Sequence, residues 1–255
     1  MEKMLNGKVI LLTGGGGGIG SAACAVLAEH GARLVVSDID ETAGERAAES
    51  VRSAGGEAIF LAADLESEAA ITRLVDETLA YYGRLDGAFN NAGVEQSNVP
   101  LTELRLEQWE RALRIDLTAV FLCIKHQVPA MMRSGGGAIV NTASGLGQIA
   151  IANAAEYVSA KHGVVGLTRA AAVEFGARNV RVNSVLPGIV ETDLISRLAE
   201  QPEFKAFLGR AKDRHVMGRF PTPREIGEAV AWLLSDHASF INGAAMPVDG
   251  GYLVN

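Results

Sequence analysis

The sequence predicts an α/β fold: a Rossmann-type, doubly wound, seven-stranded parallel sheet with helices on both faces. Three observations predict it. Short apolar runs alternate with longer helical stretches along the chain, the pattern of a parallel sheet covered on both sides. The first run passes straight into Gly14-Gly15-Gly16-Gly17-Gly18-Ile19-Gly20 and then into a helical pattern. The second run ends on an acid, Asp38, eighteen residues after Gly20.

Each element follows in order. Lys8–Thr13 is a continuous apolar run, as expected of a strand buried on both faces. After the glycines, Ala22, Ala23, Val26 and Leu27 open a helix over about 20–29. Arg33–Ser37 reads as the second strand, 41–54 as a helix, Glu57–Leu61 as the third strand and 68–82 as a helix. Gly87–Asn90 is the fourth strand, followed by a long helix near 107–132. Ala138–Thr142, Val180–Leu186 and Met246–Val248 complete the sheet, with helices near 157–175 and 223–235 between them. The one extended insertion is about 190–220, with a helical stretch Leu194–Leu198, then Pro202 and a second candidate helix Glu203–Lys212. It leaves the carboxyl end of the sixth strand. Ligands bind beyond the carboxyl ends of such strands, so the insertion is placed to close over a site. No repeat, low-complexity linker or break appears, and residues 1–255 read as a single domain.

Composition sets bounds. With 255 residues and 48% hydrophobic content the chain can bury a sizeable core. A net charge of −7 and a pI near 5.3 argue against nucleic acid as a partner. Met1-Glu2-Lys3-Met4-Leu5 lacks the apolar core of a signal peptide, and no apolar run is long enough to cross a bilayer, so a cytoplasmic location and no membrane partner are expected. Cys24 and Cys123 fall in apolar helical stretches and are expected to be buried thiols. The five histidines show no metal-ligand spacing, and no metal is expected. His162 follows Lys161 directly and points about 100° away from it on the helix, which suits packing or solvent contact.

Two constellations carry chemistry. In the first, a strand, a glycine turn and a helix N-terminus form the context that a phosphate-binding loop requires. The glycines admit a pyrophosphate close to the backbone, and the helix end favours its charge. Asp38, at the tip of the second strand, suits a ribose 2′-hydroxyl. The competing reading is a solvated loop acid or a helix cap before Glu41. In the second, Tyr157 and Lys161 stand one helical turn apart, with Ser144 thirteen residues upstream of the tyrosine. A phenol is a poor base in water, with a pKa of about 10. A lysine at i+4 shares its helix face, and a nearby cation favours the phenolate. A serine hydroxyl adds a second donor where a carbonyl oxygen could sit. Taken alone, a tyrosine and lysine that merely share a face fit equally well.

Together these motifs make the chain resemble a short-chain dehydrogenase/reductase of the single-domain type over nearly its whole length. Thr13-Gly14-x-x-x-Gly18-x-Gly20 matches the cofactor loop of that family, Asp64-Leu65 the adenine contact, and Asn90-Asn91-Ala92-Gly93 the motif after the fourth strand. Ser144, Tyr157 and Lys161 match its catalytic residues, Pro187-Gly188 with Thr192 its nicotinamide-carboxamide segment, and Val248-Asp249-Gly250-Gly251 its C-terminal signature. The resemblance implies an NAD-type cofactor held by Gly14, Gly18, Ile19, Gly20, Asp38, Asp64, Leu65, Asn91, Ala92, Gly93, Pro187, Gly188 and Thr192. It implies further that Tyr157 moves the proton, that Lys161 bonds the nicotinamide ribose, that Ser144 orients the substrate oxygen, and that 190–220 is a mobile lid. Relatives are commonly tetramers that pair through the two long helices and the C-terminal strand. The wide apolar stripes of 107–132 and 157–175 lead to the expectation of a homotetramer.

The substrate is expected to be a small secondary alcohol or its ketone. The residues after Ser144, Gly145–Ile151, are mostly apolar and suit an alicyclic substrate, with Gln148, Asn153 and Glu156 as polar contacts and Val94–Val99 as further wall. A competing reading is a 3-oxoacyl-carrier-protein type of ketoreductase, with Arg133, Arg178 and Arg181 as a docking patch. Asp38 opposes it, because those enzymes use NADPH, and the arginines read better as surface charges flanking strands. A non-catalytic dinucleotide-sensing protein on the same fold, or a methyltransferase with its own glycine loop, would also explain the first constellation. The intact Ser144, Tyr157 and Lys161 speak against both. One position departs from the family pattern: Asp116 stands where the resemblance places a fourth catalytic residue, an asparagine that in relatives stabilises a local irregularity of the long helix while its main-chain carbonyl holds a water in a relay from the active-site lysine to solvent. Its spacing from Leu113 and Val120 puts it on the inward face, where a carboxylate is costly to bury unless bonded or near a cation, and Lys161 is the obvious candidate. The favoured expectation is that the aspartate acts only as a hydrogen-bond acceptor for the helix backbone.

Overall fold

The computed structural model describes residues 3–192, Ile195 and residues 202–255. The expected helix Leu194–Leu198 lies, apart from Ile195, outside them. Seven strands form one parallel sheet: β1 (Val9–Thr13), β2 (Arg33–Asp38), β3 (Glu57–Ala62), β4 (Gly87–Asn90), β5 (Gly137–Thr142), β6 (Val180–Pro187) and β7 (Ala245–Val248). Their order is β3-β2-β1-β4-β5-β6-β7. The chain steps outward from β1 to β3, returns to pair β4 with β1, and then steps the other way. The crevice of such a sheet opens where the direction reverses, at the carboxyl ends of β1 and β4.

The strands are apolar runs because both faces are covered. All five residues of β1 are buried. Ile10 and Leu12 point into one core with Val26 and Leu27 of α1 (Gly18–Glu29), while Leu11 points into the other. The first core is closed by Ile226 and Val230 of the helix Pro223–Leu234. That helix starts on a reciprocal cap legible in the sequence: Thr222 accepts from the Glu225 amide and Glu225 from the Thr222 amide. The second core is covered by α3 (Glu68–Tyr82) and by two long helices in the middle of the chain.

The expected helix 107–132 is three segments: α4 (Leu106–Leu113), a π turn at Arg114–Thr118, and α5 (Ala119–Arg133). The helix Ala155–Phe175, α6, starts two residues earlier than the expected 157. Further helices among the described residues include α2 (Glu41–Ser53), α7 (Pro202–Asp213) and α8 (Pro223–Leu234). Arg181 corrects an expectation. It is half-buried, with its guanidinium donating to the Ile241 and Ser235 carbonyls, so it ties β6 to the chain before β7 and is no surface charge. Arg133 and Arg178 are exposed. Cys24 and Cys123 are buried free thiols, and burial pushes both up to about 12. No helix among the described residues is long and apolar enough to cross a membrane.

Candidate active site

The glycine loop joins β1 to α1 at the sheet crevice. Gly14 has φ +68°, a left-handed conformation that glycine adopts without strain. A Cβ on Gly20 would overlap the Gly14 carbonyl oxygen, so the loop folds onto the first turn of α1 only with glycine there. Helix α1 begins after Gly17 with no side-chain cap and no acid in its first turn. Its leading N–H groups are therefore left for an outside anion. Gly17 and Gly18 are exposed. Ile19 packs its side chain against the core, which fixes where the helix starts. This cradle fits the pyrophosphate of a dinucleotide.

The other expected cofactor residues surround it. Asp38 ends β2 with one carboxylate oxygen accepting the Gly16 amide at 2.8 Å and the other the Asp40 amide at 2.9 Å. The acid thus braces the glycine loop. Asp64 is exposed beyond β3 and accepts the Glu66 amide, while Leu65 packs on the second core. Asn91 joins three strand ends. Its amide donates to Thr13 Oγ1, its side chain donates to the Gly14 carbonyl at 3.2 Å, and it accepts from Thr142 Oγ1. The Ala92 backbone lies so close to Gly14 that a Cβ there would come within 2.8 Å of it. Thr192 lies over the loop from the far side, since a Cβ on Gly18 would meet its methyl carbon at 2.8 Å. Pro187 and Gly188 end β6 beside Gly145 and the C-terminal signature, where Gly188 donates to the Val248 carbonyl.

Tyr157 and Lys161 stand on α6, and Ser144 follows β5 at the head of a turn that packs on that helix. Ser144 follows the end of β5 and caps a short 3₁₀ turn, Gly145–Gly147, by accepting the Leu146 amide at 3.1 Å. That turn packs directly on α6, because a Cβ on Gly147 would stand 2.9 Å from the Lys161 carbonyl oxygen. Lys161 is buried, 3% exposed, with its ammonium 5.3 Å from the centre of the Tyr157 ring. It donates to the Thr142 carbonyl at 3.2 Å and pairs with Asp116 at 3.1 Å. Burial acts to lower the lysine, but Tyr157 and Asp116 together outweigh it and hold the ammonium above its ordinary value. His162 is exposed, with Nδ1 against the Val158 carbonyl, clear of the cleft.

Asp116 differs from expectation in its partners. It sits in the π turn, fully buried, and Oδ1 accepts the Val94 amide at 3.1 Å as well as facing Lys161. The bond goes to the loop after β4, not to the helix backbone. The carboxylate also sets the space beside it: a Cβ on Gly93 would come within 2.5 Å of Oδ1 and 3.4 Å of the lysine nitrogen. Burial raises Asp116 against the opposing pull of Lys161, and its second oxygen has no partner among the described residues.

Three features escaped the sequence reading. Asn90, Gln127, Asn141 and Thr168 form a buried side-chain network beneath the strand ends at 2.8 to 3.1 Å. Polar residues in otherwise apolar elements were the available signal. His215 is buried under the Gly188 turn, with Nδ1 donating to Ala211 and Nε2 facing the Ile189 amide. Glu156, expected as a substrate contact, is fully buried and accepts the Ser97 amide at 2.6 Å. Gln148 and Asn153 are exposed, as a contact role requires.

The chain matches known proteins along its length. The family model described as enoyl-(acyl carrier protein) reductase matches residues 15–253. A 2,5-dichloro-2,5-cyclohexadiene-1,4-diol dehydrogenase of Sphingobium indicum is 43% identical over 250 residues, covering 97% of this chain and 98% of that protein. A cyclohexanol dehydrogenase of an Acinetobacter species is 41% identical over 252 residues, covering 99% and 97%. The crystal structure of carveol dehydrogenase from Mycobacterium avium in complex with NAD superposes with a TM-score of 0.92 at 30% identity, covering 99% of each chain.

Proposed function

Because the chain belongs to the short-chain dehydrogenase/reductase family, we propose that it is an NAD-dependent dehydrogenase of small ring alcohols, interconverting a neutral alicyclic secondary alcohol and its ketone. The observation that carries this reading is the buried Lys161 ammonium beneath the Tyr157 ring, one strand end away from a glycine cradle shaped for a pyrophosphate. The relatives named for cyclohexanol and for a cyclohexadiene diol support the ring substrate.

Gly14, Gly18, Ile19 and Gly20 hold the pyrophosphate, Asp38 the adenosine ribose, Asp64 and Leu65 the adenine. Asn91, Ala92, Gly93, Pro187, Gly188 and Thr192 frame the nicotinamide half. Bound NAD supplies the hydride acceptor, and NADH the donor. The protein manages the proton. Tyr157 takes it from the alcohol hydroxyl in oxidation and returns it in reduction, Lys161 sets its ammonium beneath the Tyr157 ring, and Ser144 orients the oxygen. Tyr157 and Asp116 hold Lys161 above its ordinary value against the downward pull of burial. Residues 190–220 act as the lid over the substrate.

The test is turnover of cyclopentanol, cyclohexanol and monocyclic diols, read at the nicotinamide absorbance. Tyr157→Phe keeps the ring and removes the proton carrier. It is expected to cut kcat by orders of magnitude while NADH still binds by fluorescence titration. Near-parental turnover in that variant rejects the assignment.

A further inference from the structure

The loop between β4 and α4, residues 91–105, has no strand or helix of its own. Of its backbone amides from Val94 to Val99, those of Val94 and Ser97 alone find hydrogen-bond partners among the described residues. Both donate to buried carboxylates, Val94 to Asp116 and Ser97 to Glu156. The loop begins beside Lys161, at Gly93, and is fastened again at the residue immediately before Tyr157. It therefore spans the acid/base pair, and Asn98 turns it with φ +57° one residue beyond the second fastening.

Glu156 is suited to hold that point. It is completely buried, its bond to Ser97 is a short 2.6 Å, and its other oxygen is buried without a partner among the described residues. Helix α6 starts at Ala155 with no side-chain cap, and Glu156 is the acid of its first turn, where the helix end favours negative charge. A buried carboxylate with half its acceptor capacity idle is a poor choice for packing alone. A buried apolar residue would serve that purpose better.

We propose that Glu156 is a positioning residue for substrate specificity: its carboxylate latches Ser97 and so fixes the 94–99 loop as the wall against which the ring of the substrate rests. This rests on the reading of the cleft as an alcohol site. Glu156 does not touch the reacting atoms, so its loss should act on substrate fit and leave cofactor binding alone.

Three variants separate the possibilities. Glu156→Ala removes the acceptor, Glu156→Asp draws it back by one methylene, and Glu156→Gln keeps an acceptor without the charge. Each is read by hydrogen–deuterium exchange of the peptide covering 94–105, by KM and kcat for cyclohexanol, and by NADH titration. In Glu156→Ala we expect exchange and KM to rise tenfold or more, with kcat within threefold and NADH affinity within twofold of the parent. Glu156→Asp should follow it in direction, and Glu156→Gln should return KM to within threefold of the parent. Unchanged exchange in the Ala variant, or in the Asp variant if the Ala variant does not fold, overturns the proposal. So does a fall in NADH affinity that parallels the rise in KM, which would mark a general loosening of α6. If the parent protein turns over no ring alcohol, the function proposed above fails, and the exchange measurement alone decides the latch.

Discussion

Replacing Asp116 by asparagine tests whether its charge, and not only its oxygen, matters. The carboxylate lies 3.1 Å from the Lys161 nitrogen, and both groups are buried. At an effective dielectric constant of about 20, the gross attraction at that distance is about 5 kcal/mol. Desolvation of the two charges offsets much of it, and breaking such a pair costs about 3–5 kcal/mol because one charge stays buried alone. Asparagine can still accept from the Val94 amide and from Lys161, so Asp116→Asn should retain the fold and keep turnover at neutral pH within about tenfold, or about 1.4 kcal/mol in the barrier. Its pH behaviour should change. Burial pulls Lys161 down, and Tyr157 and Asp116 outweigh that pull and hold it above its ordinary value. A group raised in this way stabilises the fold fully below its unfolded value and loses that contribution as pH rises through the folded one. Without Asp116, burial meets less opposition, so Lys161 discharges at lower pH. The alkaline limb of kcat/KM, and the alkaline loss of stability, should both move to lower pH in the variant. Asp116→Leu removes both bonds and should cost about 3–5 kcal/mol in urea unfolding. The assays are pH profiles of alcohol oxidation between neutral and alkaline pH, with urea melts at the same points. Superimposable alkaline limbs for the parent and Asp116→Asn would refute the charge argument, and a harmless Asp116→Leu would remove the residue from the site altogether.

Other outcomes follow from single contacts. In the proposed ribose role, Asp38 would repel the 2′-phosphate of NADP, so NAD should be clearly preferred, and Asp38→Ala should raise the relative efficiency with NADP; equal efficiency with both cofactors in the parent argues against this. Because Asp38 also accepts the Gly16 amide, that variant should lose some affinity for NAD as well, measurable by titration. Gly20→Ala pushes a methyl into the Gly14 carbonyl and should destabilise the protein by about 1–3 kcal/mol, whereas at Gly17 the added carbon would be an ordinary 3.6 Å from that oxygen, and Gly17→Ala should leave the denaturation midpoint in place. The groove of about 730 Å³ between α5 and α6, lined by Phe121, Ile124, Val128, Met132, Leu167 and Phe175, suits pairing of the long helices in a homotetramer with 222 symmetry. Light scattering at micromolar concentration should give four times the chain mass, and a monomeric mass rejects the assembly.

The sheet, its parallel sense and the glycine loop were legible from local pattern. Strands covered on both faces must be continuous apolar runs, and Val9–Thr13 is buried at every residue. The glycine turn is legible because only glycine permits the approach of Gly20 to the Gly14 carbonyl. Tyr157 and Lys161 could be paired from spacing, since one helical turn brings i and i+4 together whatever surrounds them. Even the interruption of the long helix at Asp116 was expected at the right position, from the resemblance.

The partners of the buried polar groups came from the folded chain, not from local pattern. Asp116 could be placed on an inward face, but which amide it would accept depended on the course of an irregular loop 22 positions earlier in the chain. Glu156 read as a substrate contact because it is a polar residue close behind the mostly apolar stretch that follows Ser144. Adjacent helical residues point about 100° apart, and that rotation carries its carboxylate into the protein, toward an amide 59 positions away. Arg181 read as a surface charge because arginine usually is one, yet the chain before β7 brings two carbonyls to its guanidinium. Periodicity tells which face of an element is inward. It carries no information about which element comes to meet that face, and a buried charge or amide is satisfied only by the groups that meet it.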